Sequence, residues 1–118
     1  MAVRDRPADT WVSYAKTYRT QKPTKIATLG VGYGDGYPRS LSSVGKVWYR
    51  GHECAVIGLV CMDQLLIDVT ETGAAVGELV ELLGSNILAT ELARLANTNS
   101  HEIVTRIMPR VPRRYIYD

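Results

Sequence analysis

Short apolar runs alternate along this chain with turn-forming residues, and that pattern predicts strands joined by tight turns. Residues 11–18, 25–31, 44–50, 53–60, 65–70 and 76–83 each read as a strand, many of the apolar runs lying between Gly, Pro or Asp punctuation. Arg50-Gly51-His52 reads as a hairpin turn in which Gly51 can take positive φ. Helical signals come late. Thr90 is placed to cap a helix running to about Ala96, with Leu92, Ala93 and Ala96 on one face and Asn97 as its stop. Asn99 and Glu102 have capping-box spacing for a second short helix through Ile103 and Ile107, ended by Pro109. Residues 110–117 read as an extended strand broken by Pro112. The run GYGDGYPR, residues 32–39, packs three glycines with Asp35 and Pro38 and must be an irregular loop, either a tight connection or a site. These elements predict a mainly β fold, a small antiparallel β-barrel or sandwich-like domain of about six to eight strands with one or two short helices near the C-terminus. Residues 1–10 are expected to be a flexible or truncated N-terminal segment, and residues 11–118 the domain.

Composition narrows what such a domain does. A chain of 118 residues, 46% hydrophobic and 22% charged, fits one globular domain and favours a partial site or a binding module over a complete cofactor enzyme. With a net charge of +2 and lysine only at Lys16, Lys22, Lys25 and Lys46, no face reads as a phosphate-tracking stripe, so nucleic acid is not the expected partner. The one basic cluster, Arg106, Arg110, Arg113 and Arg114, reads as solvated surface with scattered ion pairs. The longest apolar stretch, residues 54–62, contains Gly58 and falls far short of the roughly 20 residues that span a bilayer, so no membrane association is expected. MAVRDRPADT lacks the apolar core of a secretion signal, which makes a cytoplasmic setting the default. Cys54 and Cys61 lie in apolar alternating sequence and read as buried reduced thiols. His52 and His101 stand apart from any serine or cysteine at a motif spacing, and no metal-binding motif occurs. Tyrosine is the unusual residue, with seven against no phenylalanine, which suggests that the hydroxyls matter. A phenol ionises near pKa ~10, so a tyrosine base needs neighbours that stabilise the phenolate or take its proton.

Four blocks carry a family resemblance: Val12-Ser13-Tyr14 with Thr17-Tyr18, the run from Val31 to Arg39, the run from Gly58 to Gln64, and Arg110-Val111-Pro112-Arg113. In order and spacing they resemble the C-terminal domain of bacterial alanine racemase, from about Trp11 to Tyr117. The resemblance implies a pyridoxal-phosphate enzyme whose N-terminal barrel, absent from this chain, holds the cofactor on a lysine, assembled as a head-to-tail homodimer. The cofactor withdraws electrons from Cα, and one base on each face removes or returns the proton. One base is the barrel lysine. By the resemblance the other is Tyr14, delivered to the partner subunit's site. Tyr33 and Arg39 then fall at the substrate entrance, and Met62, with Cys61 beside it, at a turn whose backbone meets the substrate carboxylate. His101 falls where the family commonly has a tyrosine reaching the cofactor phosphate, and Leu59 where it usually has arginine. None of the four lysines lies in anything like the family's cofactor-lysine motif. The resemblance thus implies interconversion of L- and D-alanine for peptidoglycan precursors, with the isolated chain inactive. Two alternatives stay open: a non-catalytic dimerisation or regulatory module of the same fold, and a racemase for a related amino acid such as serine.

Overall fold

The computed structural model describes residues 2–7, 11–12, 18–19, 22–70, 72, 79–109 and 111–113. Its frame is a five-stranded antiparallel sheet of β1 (Ala2–Arg6), β4 (Thr24–Leu29), β5 (Lys46–Tyr49), β6 (His52–Ile57) and β7 (Leu65–Asp68), in the order β1-β4-β7-β6-β5. A separate two-stranded ribbon pairs β2 (Trp11–Val12) with β3 (Tyr18–Arg19). The mainly β prediction holds, with the sheet, among the described residues, open rather than closed into a barrel. Among the described residues no helix is long and apolar enough to cross a membrane.

Strand register explains the core. Val3 pairs with Ala27, Ala27 with Ile67 and Ile67 with Val56, so four apolar side chains form one row across the sheet. On that face α1 (Ala89–Ala96) lays down Leu92, Ala93 and Ala96, and α2 (Ser100–Thr105) adds Ile103. Ile26, Ile57 and Leu66 make a smaller cluster on the opposite face, which is why the central strands are less cleanly alternating than a one-sided sheet requires.

Sheet topology also decides where loops gather. β4 and β6 are both antiparallel to β7, so they run the same way, and Leu29 pairs with Leu65 at the end where both strands leave the sheet. The segments after β4 and after β6 therefore emerge together, and both are resemblance blocks.

Several boundaries differ from the sequence reading. Residues 11–18 do not form one strand: Trp11 pairs with Arg19 and Val12 with Tyr18, a doubling back that strand propensity alone cannot distinguish from a continuous run. Of the N-terminal segment expected to be flexible or truncated, Ala2–Arg6 form the edge strand on β4. Within 76–83, the described residues make a single bridge, Glu81 to Trp48, because the Glu81 carboxylate accepts the Asn86 and Ile87 N–H groups at 2.8 and 2.9 Å and curls the segment. Helix α1 starts one residue ahead of Thr90, with extended Leu88 as its N-cap, and ends at left-handed Asn97 as expected. Asn99 caps α2 by accepting the Glu102 N–H at 2.9 Å, but the helix stops at Thr105, short of Ile107, and the Ile107 and Met108 carbonyls beyond it accept from the Arg113 guanidinium. Residues 111–113 are not in a strand, and the rest of the expected 110–117 strand lies outside the described residues.

One core residue yields a stability prediction. The Tyr37 hydroxyl is buried without a hydrogen-bond partner among the described residues, and a Cβ on Gly45 would sit 2.6 Å from it. A stranded buried hydroxyl costs free energy that its removal recovers. Tyr37→Phe is therefore expected to leave stability unchanged or raise it by up to about 1 kcal/mol in urea unfolding, where most core substitutions lower it.

Candidate functional site

The loop after β4 is built to lie flat on the turn after β6. Gly32 approaches that turn so closely that a Cβ on it would stand 2.1 Å from the Cys61 carbonyl oxygen. Without a side chain there, the next two amides reach across: Tyr33 N–H donates to Cys61 O at 2.9 Å and Gly34 N–H to Met62 O at 2.8 Å. Residues 33–35 make one 3₁₀ turn, closed when Asp35 N–H donates to Gly32 O and the Asp35 carboxylate accepts Gly32 N–H, each at 3.0 Å. Gly36 takes a left-handed conformation, φ 111°, with a hypothetical Cβ 2.2 Å from Arg106 O, so the loop is wedged between the 61–64 turn and the end of α2. Met108 N–H to Asp35 O, 3.1 Å, completes that second contact.

The turn is held from behind as well. Cys61 N–H donates to Gln64 O at 2.9 Å, Val60 N–H to Ser42 Oγ at 2.9 Å and Ser43 N–H to Gly58 O at 3.0 Å. Among the described residues the Met62 N–H meets no backbone acceptor. Met62 and Tyr33 are 55% and 39% exposed, large apolar surface for a monomeric domain to leave in water beside one another's backbone. Exposed apolar surface of this kind is open to contact with another body.

The structure brings together Tyr33, Cys61 and Met62, and places exposed Arg39 at the start of the next 3₁₀ turn, residues 39–41, in the same loop. Cys61 is half-buried, its thiol 3.8 Å from Leu59 O. Exposed His101 stands near the start of α2, whose opposite end touches the loop, and no hydrogen bond among the described residues joins its ring to residues 32–39. Tyr14 lies outside the described residues. Two tyrosines can be set aside as bases: Tyr37, whose phenol burial pushes well above its usual range, and Tyr49, which is enclosed in the core.

Two residues the sequence reading did not assign are structural members of this region. Asp35 follows Gly32 at the capping-box interval, the signal by which its role was legible. Arg113 donates to Ile107 O, Met108 O and Val111 O at 2.7 to 3.1 Å, so this member of the basic cluster is a clasp on the segment behind the loop, and Arg106 pairs with Glu102 at 3.5 Å.

Residues 1–115 match the family described as "Alanine racemase, C-terminal domain". The chain is 48% identical to an alanine racemase of Halothermothrix orenii over 96% of its own length and 31% of that protein's. It is 50% identical to one from Symbiobacterium thermophilum over 88% and 29%. In structure it is similar to the alanine racemase of a D-cycloserine-producing Streptomyces lavendulae, with TM-score 0.94, 37% identity and coverage of 99% of this chain and 32% of that one. It is also similar to that of Bartonella henselae with covalently bound pyridoxal phosphate, with TM-score 0.92, 34% identity and coverage of 98% and 33%. The chain spans about a third of the length of these relatives. With its sheet, its docked loop and its 61–64 turn, the chain belongs to the alanine racemase C-terminal domain family.

Proposed function

We propose that this chain is the C-terminal part of a pyridoxal-phosphate-dependent alanine racemase and supplies half of a composite active site. The observation that carries the reading is the backbone-locked turn whose Met62 N–H meets no acceptor among the described residues, at an exposed surface next to Tyr33. In the complete two-domain enzyme the Met62 amide binds the alanine carboxylate, with Cys61 beside it. Tyr33 and Arg39 line the entrance, and Tyr14 gives or takes the proton at Cα on one face, acting in the partner subunit of a homodimer. The product, D-alanine, supplies peptidoglycan precursors in the cytoplasm.

Neither Lys46 nor His101 fits the cofactor itself. Lys46 is ion-paired to Glu53 at 2.9 Å on β5, and His101, the candidate phosphate contact, is exposed on a helix of only six residues. Pyridoxal phosphate, held by a separate barrel domain, supplies electron withdrawal from Cα. This chain's residues orient the substrate carboxylate and move a proton, and by themselves complete no turnover.

The isolated chain is expected to leave the alanine α-proton unexchanged in heavy water, and addition of an alanine-racemase barrel domain carrying the cofactor is expected to restore exchange, followed by NMR. Exchange by the chain alone would contradict the proposal. Assembly with the barrel without any exchange would favour a non-catalytic module.

A further inference from the structure

We infer that Asp35 is a positioning residue for substrate binding: its carboxylate aims the Met62 N–H by fixing the peptide plane between Cys61 and Met62. This rests on the reading that the Met62 turn binds the alanine carboxylate.

The inference follows the hydrogen bonds in order. Residues 32–35 are closed at both ends, since Asp35 N–H donates to Gly32 O and the Asp35 carboxylate accepts Gly32 N–H. With those groups used inside the turn, the Tyr33 and Gly34 amides are left pointing toward the 61–64 turn, where they meet Cys61 O at 2.9 Å and Met62 O at 2.8 Å. The Cys61 carbonyl and the Met62 N–H belong to one planar trans peptide and point in opposite directions. Holding the carbonyl toward Tyr33 therefore turns the N–H away from the loop. A carbonyl that accepts a hydrogen bond also polarises its own peptide and makes the N–H a better donor. The carboxylate is the one side-chain group among these contacts; the others are made by backbone groups. Removing it frees Gly32 N–H and lets the 32–35 turn rotate, while the bond from Met108 N–H to Asp35 O, 3.1 Å, stays and keeps the loop attached to the end of α2. Positioning can thus fail while the fold survives.

The test uses the complete two-domain enzyme, alanine as substrate and propionate as the probe, a carboxylate with no amine. Asp35→Ala is expected to raise the alanine KM and the propionate Kd about tenfold with kcat within about twofold, the pattern of a lost ground-state contact worth one hydrogen bond. Asp35→Asn keeps an acceptor oxygen without the charge and should fall within about threefold of wild type on both constants. Unchanged KM and propionate Kd in Asp35→Ala would overturn the inference, and so would loss of folded enzyme by circular dichroism, since that would place the carboxylate in overall stability. The underlying reading has its own readout. If propionate does not shift the Met62 amide resonance of wild-type enzyme, both fall; if it does and Asp35→Ala binds propionate normally, only the role of Asp35 is lost.

Discussion

Tyr14→Phe is expected to lower α-proton exchange on one face of alanine by about 10²- to 10⁴-fold in the complete enzyme, the usual contribution of a positioned acid or base. Phenylalanine keeps the ring and its packing and removes only the hydroxyl, so a large loss assigns the effect to proton transfer. The other tyrosines sharpen the contrast. Burial holds the Tyr37 phenol well above its usual range, so it cannot ionise at neutral pH, and Tyr49 faces the core. Tyr37→Phe is accordingly the control, with exchange unchanged. Deuterium incorporation from heavy water, measured separately from L- and D-alanine, checks the prediction. Equal, small losses in both directions would show that Tyr14 only packs.

Gly32→Ala is expected to produce the largest structural effect, a destabilisation of about 2–4 kcal/mol. The cause is space rather than backbone strain, because Gly32 has an ordinary extended conformation with φ −157°. Its Cβ would stand 2.1 Å from Cys61 O and 2.7 Å from the Met62 carbonyl carbon, and backbone cannot rotate aside as a flexible side chain can. The loop must lift, losing the Tyr33-to-Cys61 and Gly34-to-Met62 hydrogen bonds together. A urea-unfolding midpoint lowered to match, with weaker propionate binding, fits this account. A change below about 0.5 kcal/mol would mean the loop does not dock as described.

Much of the frame is legible from local pattern. The hairpin at Gly51, the helix with Leu92, Ala93 and Ala96 inward, and the Asn99 cap each follow from residue chemistry within a few positions. What depends on distant partners is not. Whether residues 11–18 run on or double back depends on who pairs with Trp11, and residues 79–83 leave the strand pattern because Glu81 captures amides five and six residues ahead. The site shows the same division. Glycine, aspartate and proline mark residues 32–39 as an irregular loop, but only the common exit of β4 and β6 explains why it rests on Cys61 and Met62. Arg113 reads as surface charge until its three carbonyl partners, all on residues 107–111, are placed before it.

The central claim is that this chain completes an active site held by another subunit, and subunit mixing tests it most directly. Two inactive homodimers are needed, one lacking the barrel's cofactor lysine and the other carrying Tyr14→Phe. After dissociation and reassociation, half-and-half hybrids each contain one site with both defects and one intact site, so recovery of about a quarter of wild-type racemisation is predicted. Activity no greater than the sum of the two parents would contradict it.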